Sequence, residues 1–148
     1  MKLKSFFAAT TLAVFTAAGT VCAQTSGTVN VQTAAPQFNL EHRTVKLNSG
    51  YEMPVLGIGT YRLSQQQAEN SVYWALKAGM RLIDTARIYG NEEGVGRGIR
   101  RAVSEKICTR ADIFVTTKMW TTEFSNADAA IDASLKRLGL DYIDLMVL

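Results

Sequence analysis

An α/β fold of parallel strands alternating with helices is predicted for residues 43–148, on three observations. Four short apolar runs, 55–59, 81–84, 113–117 and 142–148, recur every 26 to 32 residues, the spacing of βαβ units. Between them lie three stretches with apolar residues at helical spacing and stop or start signals at their ends. The runs themselves are nearly continuous in apolar character, as parallel strands buried on both faces require.

The elements follow in order. Lys2 and Lys4, the apolar stretch 6–18 and the small residues around Val21-Cys22-Ala23 read as a secretory signal over residues 1–23. The stretch falls short of the roughly 20 residues that span a bilayer, so a retained anchor is the weaker reading. Lipidation of Cys22 is weaker too, because Gly19-Thr20-Val21 precede it. Residues 24–42, rich in Thr, Ala, Gln, Ser and Asn, read as a flexible linker with the sole histidine, His42, as a surface residue at its end. Segments 44–47 and 51–53 flank Asn48-Ser49-Gly50 and form a hairpin. In the first helix Ser64 and Gln67 make a capping box, Ala68, Val72, Ala75 and Leu76 share a face, and Gly79 ends the turn. Val95, Ile99, Ala102 and Val103 carry the second. Ser125 and Asp128 cap the third, Ile131, Leu135 and Leu138 pack it, and Gly139 stops it. The four strands should lie adjacent and parallel in chain order.

Charge excludes one class of partner. Without Lys2 and Lys4 the sixteen basic residues become fourteen against thirteen acids, net +1, and Arg81, Arg87, Arg97, Arg100, Arg101 and Arg110 interleave with Asp84, Glu92, Glu93, Glu105 and Asp112. That is a solvated mixed surface and not a nucleic-acid footprint. After signal cleavage Cys108 is the only cysteine, so no intrachain disulfide can form and a buried or idle thiol is expected. No metal-ligand spacing is visible. A Sec-type leader places the product in the periplasm or outside the cell, where any cofactor must be bound.

Two clusters invite chemistry. Gly94-Val95-Gly96-Arg97-Gly98 fails the dinucleotide fingerprint, since Ile99 stands where the third glycine belongs and Glu92 and Glu93 would repel a phosphate. Close helix packing explains these glycines better. The second cluster comes from strand ends: Thr60 follows the first run, Asp84 ends the second, Lys118 follows the third, and Tyr89 lies in the loop after Asp84. Side chains at the carboxyl ends of parallel barrel strands converge on one face. A free phenol titrates near 10, so it serves poorly at neutral pH unless a cation favours the phenolate; Lys118 can supply that charge and Asp84 can hold Lys118. Spacing alone equally fits a loop-capping aspartate and a lysine exposed by chance.

Four motifs decide between these readings: Gly57-Ile58-Gly59-Thr60-Tyr61-Arg62, then Leu82-Ile83-Asp84-Thr85-Ala86-Arg87-Ile88-Tyr89-Gly90-Asn91-Glu92-Glu93-Gly94-Val95-Gly96, then Thr117-Lys118-Met119-Trp120, then Leu138-Gly139-Leu140-Asp141-Tyr142-Ile143-Asp144-Leu145. In order and spacing they closely resemble the aldo-keto reductase family over residues 43–148. The resemblance implies a (β/α)8 TIM barrel, here about the first four βα units after an N-terminal hairpin, that binds NADPH (NADP) at the strands' carboxyl ends. It implies reduction of aldehydes and ketones by an Asp, Tyr, Lys and His tetrad, of which Asp84, Tyr89 and Lys118 are three. Gly59, Thr60, Tyr61 and Asp84 would lie beside the nicotinamide, and Trp120 would line the pocket for a small carbonyl substrate.

The family's histidine follows the fourth strand, and the sequence stops at Leu148. A complete barrel takes about 250 residues. Two expectations follow. Either this is the amino-terminal part of an NADPH-dependent carbonyl reductase, inactive alone for want of the histidine and the phosphate-binding motif, or it is a non-catalytic half-barrel that self-associates through an open edge.

Overall fold

The computed structural model describes residues 37–148. The signal expected over 1–23, and the linker up to residue 36, lie outside the described residues. Among those described, no helix is long and apolar enough to cross a membrane.

The chain enters through three antiparallel strands, β1 (Gln37–Asn39), β2 (Thr44–Lys46) and β3 (Glu52–Pro54), in register Phe38↔Val45↔Met53. The hairpin expected around Asn48-Ser49-Gly50 forms: the Gly50 N–H donates to Leu47 O at 2.9 Å, and Gly50 takes φ +88°, a conformation glycine adopts without strain. The linker reading needs correction at its end. Residues 37–42 form β1 and a turn in which the His42 N–H donates to Asn39 Oδ1 at 3.0 Å, with His42 itself exposed. The strand was invisible in the pattern because Phe38 and Leu40 stay exposed, leaving only the backbone ladder to hold it.

Four parallel strands follow as expected, in the order β4 (Gly57–Gly59), β5 (Leu82–Asp84), β6 (Phe114–Lys118) and β7 (Leu145–Val147). Three are shorter than read, β5 by Arg81 alone. Val55 and Leu56 precede β4 and are exposed. Residues 142–144 lead into β7 without joining it, because the Val115 N–H donates to the Asp144 carboxylate at 2.9 Å and regular pairing starts only at Leu145. That carboxylate also takes a 2.7 Å ion pair from Arg110.

Helices α1 (Gln65–Lys77), α2 (Glu92–Ser104) and α3 (Ala127–Leu138) cover the sheet. Both halves of the α1 capping box are made: the Gln67 N–H donates to Ser64 Oγ at 3.2 Å, and the Ser64 N–H donates to Gln67 Oε1 at 2.9 Å. At the other end the Gly79 and Met80 N–H groups donate to Leu76 O and Ala75 O, so the last carbonyls of α1 are satisfied. The start of α3 differs from the reading. A 3-10 turn over Thr121–Asn126 intervenes, the helix begins after Asn126 with no side-chain cap, and Ser125 lies inside that turn. Asp128 sits in the first helical turn, where its charge favours the helix N-terminus.

The core between helices and sheet is built from Val72, Leu76, Ile83, Val95, Ile99, Ile113, Val115, Leu138 and Ile143. Cys108 is buried beside it, and burial pushes its thiol pKa up. The glycines of α2 allow this packing: a Cβ on Gly94 would meet the Gln65 carbonyl, one on Gly96 the Leu138 carbonyl, and one on Gly98 the Glu69 carbonyl at 2.6 Å. Helix α2 therefore lies against the backbones of both neighbours. One charge departs from the solvated-surface reading. Glu92 is 1% exposed, accepts from Thr117 Oγ1 at 2.7 Å and pairs with Arg137 Nε at 2.6 Å. Both oxygens of the buried carboxylate are thus occupied, one by a hydroxyl and one by a guanidinium, which offsets the loss of water around it.

In an ordinary helix interior Gly→Ala stabilises by about 1 kcal/mol. At Gly96 the new methyl meets a backbone carbonyl, so Gly96→Ala should instead lower unfolding free energy by about 1 to 3 kcal/mol in urea titration. A gain would mean that α2 and α3 part without cost. Glu92→Ala should cost about 3 kcal/mol, the low end for a broken buried pair because Arg137 keeps a third of its side-chain surface. Differential scanning calorimetry reads it.

Candidate active site

The register of the sheet places the functional side chains. Gly59 pairs with Asp84, and Asp84 with Thr116, so β4 and β5 end level while β6 runs two residues further. Lys118 lies two residues beyond Thr116 and returns to the same face. Past the strand end the Thr85 N–H still donates to Thr116 O at 2.9 Å, which carries the chain straight into the next loop. There a 3-10 turn over Arg87–Tyr89 closes with the Tyr89 N–H on Ala86 O at 3.0 Å, and Gly90 leaves it at φ +66°.

The three candidate catalytic side chains meet. Lys118 Nζ donates to Asp84 Oδ1 and Oδ2 at 2.7 and 2.8 Å, to Thr85 O at 2.9 Å and to Tyr89 Oη at 3.2 Å. The same ammonium sits 5.0 Å from the centre of the Tyr89 ring. Because Lys118 donates to the phenol oxygen, the Tyr89 O–H proton is free to point elsewhere. The Asp84 and Lys118 side chains keep 41% and 32% of their surface, so the pair is partly screened and borders open space.

The residues expected beside a nicotinamide divide. Gly59 is exposed, and nothing lies within 4 Å of where its Cβ would be, which leaves room for a flat group next to Asp84. Tyr61 is exposed and its ring stacks on Tyr89 at 4.9 Å, tilted by 54°. Thr60 is not brought to the surface of the site. It is wholly buried, its N–H and hydroxyl directed at Asp84 O at 3.0 and 3.3 Å, and its role here is to hold the loop.

Trp120 is half exposed and lines an apolar cavity of about 340 Å³ that opens beside Tyr89 and Lys118, with Ile88, Met119 and Phe124 as further walls. A second cavity, about 370 Å³, lies at the opposite end of the strands, bounded by Tyr51, Ile113 and Phe114, and contains none of the three groups.

Sequence reasoning missed three contributors. Asn91 is 1% exposed and donates to Thr60 O at 2.7 Å and Leu63 O at 2.9 Å, while its Oδ1 accepts from the hydroxyls of Thr60 and Thr85. A polar residue in a loop motif gives no hint of burial. Ile88 and Phe124 were passed over as well, although each stands close in sequence to Tyr89 or Trp120.

Residues 55–148 match the profile of the Aldo/keto reductase family. Among curated proteins the chain is 51% identical over 105 residues to an aldehyde reductase of Saccharomyces cerevisiae, covering 71% of this chain and 32% of that protein. It is 43% identical over 107 residues to an NAD(P)H-dependent D-xylose reductase of Candida tropicalis, covering 71% and 33%. Among solved structures it superposes on a Bombyx mori aldo-keto reductase in complex with NADP, with TM-score 0.68 and 42% identity over 70% of this chain and 36% of that one. A Brucella melitensis aldo/keto reductase gives TM-score 0.66 and 50% identity over 71% and 39%. The chain thus spans about a third of the length of the curated relatives it matches. Strand order, converging side chains and these likenesses agree that the chain belongs to the aldo/keto reductase family.

Proposed function

We propose that the protein is an NADPH-dependent reductase of small aldehydes and ketones, and that this chain contributes its proton-donating group and one side of its nicotinamide site. The observation that carries the reading is the contact of Lys118 Nζ with both Asp84 oxygens and with Tyr89 Oη.

The open ground over Gly59, flanked by Asp84 and the exposed Tyr61 ring, fits a nicotinamide and its ribose. Gly59, Asp84 and Tyr61 would hold NADPH there, and the cofactor would bring the hydride that carbonyl reduction needs. The residues of this chain do the rest. Tyr89 donates its proton to the carbonyl oxygen as negative charge gathers on it. Lys118 stabilises the charge left on the phenol oxygen, and Asp84 keeps the ammonium aimed there at 2.7 Å. The apolar walls of Ile88, Met119, Trp120 and Phe124 favour an apolar substituent on the reacting carbonyl. The leader-like residues 1–23 support export, which would place the reaction in the periplasm or outside the cell.

For the protein expressed from its native gene, Tyr89→Phe should lower kcat for aldehyde reduction by about a hundredfold to ten-thousandfold while cofactor affinity changes little. Oxidation of NADPH followed by absorbance reads the first and quenching of protein fluorescence the second. Unchanged turnover would remove Tyr89 from the reaction. Asp84→Asn should lower kcat as well, by freeing Lys118 from its bidentate partner.

A further inference from the structure

Two turns form much of the wall of the apolar cavity, which the ends of β6 and β7 complete, and an ion pair joins the turns. One turn, Arg87–Tyr89, carries Ile88 and Tyr89; the other, Thr121–Asn126, follows Trp120 and carries Phe124. Arg87 Nε lies 2.7 Å from Glu123 Oε1, and the other oxygen, Oε2, accepts the Trp120 N–H at 2.9 Å. The Glu123 N–H in turn donates to Trp120 O at 2.9 Å. Neither Arg87 nor Glu123 lines the cavity; both stand behind its walls.

Exposed ion pairs contribute little, since ordering two long side chains offsets a screened attraction. This pair differs on the Glu123 side. The carboxylate keeps only 18% of its surface and is already fixed by the backbone of Trp120, so only Arg87 has to be ordered when the pair forms. A pull on Arg87 is therefore transmitted to the Trp120 backbone, and from there to the indole that forms one wall.

We propose that the Arg87–Glu123 pair is a specificity-determining strap, holding the Trp120 and Phe124 turn against the Tyr89 turn and so setting the width of aromatic or branched carbonyl compound the cavity admits. The strap stands on geometry; its effect on specificity rests on the reading of this cavity as the carbonyl site. Arg87 and Glu123 act as positioning residues, and neither touches the reacting atoms.

The test uses the 148-residue chain, whose two tryptophans are Trp74 and Trp120. In a Trp74→Phe background the fluorescence reports Trp120 alone. Arg87→Gln and Glu123→Gln both remove the ion pair; in the first the Glu123 carboxylate, and in the second the new amide carbonyl, still accepts the Trp120 N–H. Each should raise acrylamide quenching of Trp120 and shift equilibrium binding from benzaldehyde toward 2-naphthaldehyde, followed by ligand-observed NMR, by about two- to fivefold. The double variant should do no more than either single one. Unchanged quenching in both glutamine variants, with an increase only in Glu123→Ala, would reduce Glu123 to a cap of its own turn and overturn the strap. Altered quenching with an unaltered aldehyde preference would overturn its part in specificity. Failure of the parent chain to bind either aldehyde would count against the cavity as a carbonyl site, and the quenching result would still decide the strap.

Discussion

The site depends on one buried amide. Asn91 has four polar contacts in a place with 1% exposure: two donated to the loop after β4, at Thr60 and Leu63, and two accepted from the hydroxyls of Thr60 and Thr85. Each such group left unsatisfied costs about 1 to 3 kcal/mol, so the arrangement tolerates little displacement. It fixes the loop leaving β4 against the loop leaving β5, at the first turn of α2. Thr85, held by its hydroxyl, presents the carbonyl that Lys118 uses, and Tyr89 stands two residues before Asn91. Loops need such anchors because they lack a ladder of their own; here a side-chain amide does for three segments what backbone pairing does for the strands.

Packing behind the sheet serves the same end. Glycines 94, 96 and 98 let α2 approach the backbones of α1 and α3, and this proximity brings Glu92 within reach of Arg137 on α3 and Thr117 on β6. Thr117 points outward to the helices and Lys118, the next residue, points to the opposite face. The buried carboxylate thus grips β6 one residue from the ammonium that holds Asp84 and Tyr89. A charge that reads as repelling phosphate at a helix start is in fact neutralised inside the protein.

Periodicity made the parallel strands, the three helices and the hairpin legible, because these depend on local pattern; strand-end geometry left the meeting of Asp84, Tyr89 and Lys118 an even choice, which the motif resemblance decided. Elsewhere the pattern had nothing to register. Strand β1 buries no face; Glu92 and Asn91 look like surface residues until tertiary partners are known; the 3-10 turn before α3 shifts the helix start by inserting a turn that shares its polar composition. Thr60 shows a different limit: its motif position gave no sign that the side chain is buried and hydrogen-bonded within the loops. The link between Arg87 and Glu123 joins residues 36 apart in sequence, and only the fold makes them neighbours.

What the trio can do follows from its unequal exposure. Asp84 and Lys118 keep 41% and 32% of their side-chain surface, and with solvent present their attraction is weakened. Tyr89 is half-buried between Tyr61 on one side and the apolar cavity on the other. A flat group over Gly59 and a carbonyl compound in the cavity would together displace water from all three, and the same 2.7 Å contact would then act at lower local dielectric. On the proposed reading, the ammonium's hold on the phenol oxygen would strengthen with both ligands in place, favouring proton transfer in the filled site over proton exchange with bulk water. That preference requires the surrounding walls to close, and on this chain the walls are the two turns that flank Tyr89 and Trp120 together with the ends of β6 and β7.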